Sequence, residues 1–298
     1  MHAPLPLRHL LLGLLVVAIW GSNFVVIKSA LAHLPPLFMA FLRFALAFLP
    51  AALLVPRPPV PWPQLAAYGV LIGAGQFGLL FLAMTQYISP GLASLVIQTQ
   101  VFFTIALAAL VAGERVRRVQ WVGLGCAAAG LAMIAVQGDA RATPLGLGLV
   151  LAAAASWAAG NLVGRRAGRV DMLGYMVWSS AFALPPLLAL SLLFEGPAAI
   201  AAGVRAADGA TWAAVVWQAA GNTLFGYAAW GWLLARHPAA TVAPLALGVP
   251  VFGLASSALW LGEALPPWLL AAAALVLGGL ALNLLWPRIE AALRAPAG

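Results

Sequence analysis

Residues 73–94 read GAGQFGLLFLAMTQYISPGLAS, and residues 221–242 read GNTLFGYAAWGWLLARHPAATV. At a fixed offset of 148, about half the chain, Gly73 meets Gly221, Phe77 meets Phe225, Gly78 meets Gly226 and Pro90 meets Pro238. Self-similarity at such a period marks a duplication. Two echoes extend it. Gly113 and Glu114 close one apolar run as Gly262 and Glu263 close another, shifted by one residue. Trp20-Gly21-Ser22-Asn23 has a partial counterpart in residues 156–161, with Lys28 five residues beyond Asn23 and Arg166 five beyond Asn161. The chain therefore divides into two repeats, 1–138 and 139–298.

Composition says what was duplicated. The chain is 64% hydrophobic and 7% charged with a mean hydropathy of +1.02, whereas soluble domains run about a quarter charged. A spanning helix needs about 20 mostly apolar residues. Ten runs of that kind stand at 9–30, 36–55, 64–86, 91–112, 119–137, 145–165, 173–194, 211–234, 240–261 and 267–286. They are continuous and rich in Ala and Leu, without the alternation of a transmembrane barrel. The predicted fold is an all-α integral membrane protein with two five-helix repeats. The first run is read as a retained helix and not a cleaved signal, because its apolar stretch continues past Asn23 without a small-residue cleavage site.

The net charge of +8 is placed for a membrane and not for nucleic acid. With the N-terminus inside, Arg8, Arg57, Arg115, Arg117, Arg118, Arg165, Arg166, Arg169, Arg236, Arg288 and Arg294 all fall on the cytoplasmic side. Only Lys28, Arg141 and Arg205 fall opposite, as the positive-inside rule expects. Both termini are then cytoplasmic. Cys126 is the sole cysteine, which rules out an internal disulfide, and nothing has metal-ligand spacing.

Five spans per repeat is an odd number, so the second copy inserts upside down. Inverted repeats of this kind build many secondary transporters, with the substrate near the midplane between the halves. Ten spans, two halves, Trp20-Gly21-Ser22-Asn23 in the first helix and Gly-Glu closing the fourth and ninth together resemble the EamA-type branch of the drug/metabolite transporter superfamily. The resemblance covers nearly the whole chain, and within that superfamily the chain looks most like the YddG-type aromatic amino-acid exporters. It implies a bundle around a central cavity that exports small amphipathic metabolites, amino acids among them, by alternating access. The expected partners are a small-molecule substrate and the lipid bilayer, with no cofactor and no obligate protein partner. Short loops and the absence of targeting sequences suit a multi-pass protein of a bacterial inner membrane.

Candidate cavity residues are the polar and aromatic groups inside the spans: Trp20, Asn23, Gln76, Ser94, Gln98, Phe102, Trp157, Asn161, Tyr227 and Trp230. Gln98 is grouped with Ser94 and Phe102 at a spacing of four, and at most one of Gln98 and Gln100 should face the cavity squarely, since two residues turn a helix by about 200°. Every one of these side chains could instead serve helix packing, where interhelical hydrogen bonds contribute about 0.6 kcal/mol each. Arg43, inside the second span, snorkels to the interface, pairs with backbone carbonyls at a broken helix, or forms an electropositive wall that attracts a carboxylate. Gly78, Gly226, Pro244, Gly248 and Pro250 are candidate hinges or static kinks. Glu114 and Glu263 read as end-of-helix anchors or as gates.

All seven acidic residues and all four histidines map to span ends or loops. A proton-coupled pump usually needs an intramembrane group that titrates, so uniport, exchange or coupling through the substrate's own charge is expected. Other readings remain: export of neutral drug-like solutes, or, in another class, a membrane enzyme acting on lipid-linked substrates. An enzyme would need a clustered nucleophile, acid, base or metal site, and the sequence offers none.

Overall fold

The computed structural model describes residues 5–112, 116–137, 142–168 and 170–294. The roles expected of Gly113 and Glu114, and the boundary between the repeats at 138, fall outside these residues.

Prolines and short polar residues set the helix starts. Helix α1 (Leu7–Ala30) follows Pro6, α2 (Pro36–Phe48) opens on proline, and α3 (Trp62–Val70) carries one in its first turn. Proline is tolerated there because its missing N–H would have no intrahelical acceptor. The third stretch continues through a π-helical segment, Leu71–Gly78, into α4 (Leu79–Gln86). Next come α5 (Pro90–Val96), a 3₁₀ turn at Ile97–Thr99, α6 (Gln100–Ala112) and α7 (Arg118–Val136).

In the second half, α8 (Pro144–Arg165) is capped by the Thr143 hydroxyl and α9 (Met172–Phe194) by the Asp171 carboxylate. A helix that the sequence did not announce, α10 (Gly196–Ala206), fills the long break before α11 (Gly209–Trp217). A second π-helical segment, Gln218–Phe225, leads into α12 (Gly226–Arg236). Then follow the short α13 (Ala239–Val242), a 3₁₀ segment at Ala243–Leu247, α14 (Gly248–Leu261) and α15 (Pro267–Arg294). Helix α14 stops at Gly262, whose φ of 67° is a left-handed cap that glycine adopts without strain.

Nine helices among the described residues are long and apolar enough to cross a membrane. The expected eighth span is helical from Gly209 to Arg236. Gln218, Asn222 and Thr223 in its middle make it the least apolar of the ten runs, and all three are buried. The irregular segments recur: the π-helices at 71–78 and 218–225 match the sequence offset to within one residue, and the 3₁₀ segments follow each at similar distance.

Packing interleaves the two halves. Helix α1 lies against α14, α12 and α11, whereas α8 lies against α3, the first π segment, α4 and α6. Glycines let the backbones approach. A Cβ on Gly21 would overlap Phe252 and the Val249 carbonyl, 2.5 Å away, and one on Gly253 would overlap Ser94. Helices α7 and α15 pack mainly on each other through Gly123, Gly130 and Gly279. They stand beside the bundle that encloses the cavity.

Candidate functional site

A cavity of about 320 Å³ lies among α1, α2, both π segments with α3, α4 and α12, the 3₁₀ turn before α6, and α8 and α14. It runs from the level of Ile27 and Leu80 to Met172, Leu234 and Ala246 at the opposite end of the bundle. That volume sits near the lower end of the range for ligand pockets, about 300–1,000 Å³. One small solute fits it.

Its polar centre is built from three helical stretches. Asn23 of α1 and Gln218 of the second π segment exchange amide hydrogen bonds: Asn23 Nδ2 donates to Gln218 Oε1 at 3.2 Å, and Gln218 Nε2 donates to Asn23 Oδ1 at 2.6 Å. Arg43 Nη1 of α2 also donates to Gln218 Oε1, at 2.8 Å. All three residues are buried, Arg43 completely at 0% exposure. Snorkelling is therefore not its role. Its guanidinium carbon stands 3.7 Å from the centroid of the Phe77 ring, a cation–π contact that in a desolvated site contributes about 2 kcal/mol.

A second knot lies on α8 and α6. Asn161 Nδ2 donates to Gln100 Oε1 at 2.9 Å, and the Thr104 hydroxyl donates to the Gln100 carbonyl at 2.7 Å. Both amides line the cavity and are only half-buried.

Aromatic rings form one wall. The Trp20 indole N–H donates to the Asn222 carbonyl at 3.1 Å, and its ring lies 5.7 Å from Tyr227 and 5.2 Å from Trp230. The acceptor is a π-segment carbonyl, and such segments are frequent at functional sites. The first π segment is used the same way, with the Ser156 hydroxyl donating to the Leu71 carbonyl at 2.7 Å. Trp157 lines the same cavity as Trp20. No Asp, Glu or His is among the described lining residues, so Arg43 is the formal charge on the wall.

Of the sequence candidates, Trp20, Asn23, Arg43, Gln76, Gln98, Trp157, Asn161, Tyr227 and Trp230 meet in this cavity. Ser94 and Phe102 do not. Ser94 is sealed between α5 and α14, where its hydroxyl donates to the Gly91 carbonyl at 2.7 Å. Phe102 is buried in the apolar core. The spacing of four failed because the 3₁₀ turn at Ile97–Thr99 breaks the helix between Ser94 and Phe102. For the same reason Gln98 and Gln100 both line the cavity.

Two of the five hinge candidates are tightly packed. A Cβ on Gly226 would overlap the Trp20 indole, and one on Gly248 would come within 2.9 Å of Val17. Gly78 has room, with its nearest neighbours 3.4 and 3.5 Å from a built Cβ. Pro244 lies in the 3₁₀ segment and Pro250 is buried in α14. Sequence reasoning passed over Pro185 and Pro186 inside α9 and the lining residues Tyr68, Phe77, Met172 and Asn222, and it set Gln100 aside in favour of Gln98. Phe77 and Asn222 carried a signal, since each falls in the repeated glycine-bearing stretch.

At the end of the bundle where α1 finishes, polar ties hold the helices together. Lys28 Nζ donates to the Met84 and Thr85 carbonyls at 3.0 and 2.6 Å. The Glu195 carboxylate accepts from the Leu37 and Phe38 N–H groups at 2.6 and 3.0 Å, anchoring the start of α2. Glu263 lies beside Gly91 at the start of α5.

The chain belongs to the EamA-like transporter family, whose model matches it twice, at residues 7–136 and 144–285. It is a multi-pass inner-membrane transporter and not an enzyme. Two relatives are each named a probable amino-acid metabolite efflux pump. The one from Salmonella typhimurium strain LT2 is 43% identical, over 94% of this chain and 95% of its own length. The one from Escherichia coli strain K12 is 40% identical, over 91% of this chain and 93% of its own. A further Escherichia coli K12 relative, named an uncharacterized inner membrane transporter, is 34% identical over 57% of this chain and 59% of its own. A solved crystal structure shares the fold, with a TM-score of 0.65 at 21% identity over 98% of this chain and 99% of that one.

Proposed function

We propose that this protein exports amino acids and related small amphipathic metabolites, aromatic amino acids among them, by alternating access through the cavity. The observation that carries this reading is the lining itself: one buried guanidinium, a set of amides and an aromatic wall, with no carboxylate among the described lining residues. An arginine attracts a carboxylate, indole and phenol rings suit a flat apolar side chain, and the absence of an anionic partner disfavours cationic drugs. The names of the two most similar relatives described above agree with amino-acid efflux.

The ten-helix inverted repeat, with both termini cytoplasmic, is supported by the paired π and 3₁₀ segments and by the double family match. In that orientation the ties at Lys28 and Glu195 close the outer end, and the cavity extends toward the cytoplasm. The two halves rock about the irregular segments, with Gly78, Pro244 and Pro250 as the points of bending. Transport proceeds as uniport or exchange. Purified protein in liposomes loaded with labelled aromatic, aliphatic and cationic amino acids tests this: aromatic and other neutral species should be released fastest, and release of none refutes the substrate assignment.

A further inference from the structure

Two polar groups on the cavity wall have no partner within the protein. They are Nε and Nη2 of Arg43 and Oε1 of Gln76. Both residues line the cavity, and they are 0% and 4% exposed. Leaving a buried donor or acceptor unmet costs about 1–3 kcal/mol, and more when it is charged. Two residues that line one small cavity thus each hold a buried polar atom unmet, and the site is poised for a solute that draws both out to meet it.

The geometry defines what the solute must carry. Arg43 already gives Nη1 to Gln218, which is itself fixed by its reciprocal bonds with Asn23. The edge left over is the Nε and Nη2 pair, two N–H groups side by side, which matches the two oxygens of a carboxylate. Phe77 holds the guanidinium against its ring face, and Gln76 is the neighbouring residue in the same π segment. The free Gln76 oxygen is an acceptor only. Beside a carboxylate-binding edge, it calls for a donor that carries positive charge.

We propose that Arg43 and Gln76 together form a recognition head for the α-carboxylate and α-ammonium of a free amino acid. The substrate class is thus the α-zwitterion, and amines lacking the carboxylate or acids lacking the nitrogen are poor substrates. The remaining cavity, with Trp20, Tyr227 and Trp230, is left for the side chain. This inference rests on the amino-acid export reading above. A site built to hydrogen-bond a given group rejects analogues that lack it, because its own polar atoms are then left unpaired.

The test is counterflow uptake into liposomes with phenylalanine, phenethylamine and 3-phenylpropionate, three solutes of similar size that differ in the two α-groups. Phenylalanine should enter at least tenfold faster than either analogue. Equal uptake of all three overturns the head and leaves the export reading standing. Uptake of none also overturns it, and the amino-acid panel described above then decides whether the export reading falls too. A Gln76→Leu variant that unfolds at the wild-type temperature should lose the preference over 3-phenylpropionate about tenfold while keeping the preference over phenethylamine. An unchanged ratio in that folded variant removes Gln76 from the head. Arg43→Lys, which keeps the charge but not the paired donors, should weaken discrimination against phenethylamine.

Discussion

Asn23 and Asn161 hold similar places in the two repeats, and each reaches a glutamine from the other repeat. There the likeness ends. Asn23 and Gln218 are buried and share their bonds with the guanidinium of Arg43. Asn161 and Gln100 are half-buried and share theirs with the hydroxyl of Thr104, which lies 3.4 Å from the Gln100 side-chain oxygen. The glutamines also come from different places: Gln218 opens the second π segment, whereas Gln100 follows the 3₁₀ turn in the first half. Duplication supplied the same residue type twice, and the partners decided its work. One pole of the cavity became buried and charged, the other neutral and partly exposed.

Substitutions can break that contrast. The largest effect is expected at the charged pole: Arg43→Met should lower amino-acid release about 30-fold or more, since losing one partner of a buried charge contact costs about 2–5 kcal/mol. Asn161→Ala should lower it only a few-fold, because its amide contributes a neutral, partly wetted hydrogen bond. Equal losses would mean that the two poles are functionally alike.

Stability should show the same asymmetry at smaller scale. Gln218→Leu strands both Asn23 and one arm of Arg43, and it should destabilise the fold by about 2–4 kcal/mol. Gln100→Leu should cost about 1 kcal/mol, as Asn161 can turn to cavity water. Thermal unfolding of the purified variants ranks them, and the reverse order would contradict the burial argument.

The smallest effect concerns pH, and it lies away from both poles. The Asp208 carboxyl at the start of α11 accepts from the Thr211 N–H and hydroxyl, which hold it below the usual carboxylate range. A lowered folded value stabilises above the ordinary Asp value and is lost as pH falls through the folded one. Asp208→Asn should therefore flatten the acid side of the stability profile. Release rates should stay flat from about pH 5.5 to 8, because no group that titrates there lies among the described lining residues. A rate that titrates across that window would point to a coupling group elsewhere in the path.

Much of this was legible in the sequence. Apolar runs of bilayer length marked the helices, and nine of the eleven polar, charged and aromatic positions singled out inside them do meet in one cavity. The two candidates that fall outside it share a physical cause. Ser94 and Phe102 were placed by assuming an unbroken α-helix, and the 3₁₀ turn between them changed the direction of every side chain beyond it. Trp178 lies inside a span as Trp20 does, but its indole N–H donates to the Val55 carbonyl at 3.0 Å, beside Trp62. Gly226, a hinge candidate, also leaves the space that the Trp20 ring occupies, since a Cβ there would overlap the indole.

By itself the sequence determined the class of solvent, the helical content and the duplication. Hydropathy and self-similarity are properties of the chain that need no knowledge of contacts. Only the tertiary structure decided that Arg43 is sealed inside and held by Gln218, that Trp20 spends its N–H on the Asn222 carbonyl, and that Gln76 keeps a free oxygen. Those outcomes depend on which groups from distant segments come within hydrogen-bonding reach, and that depends on the π and 3₁₀ segments that bend the helices around the cavity.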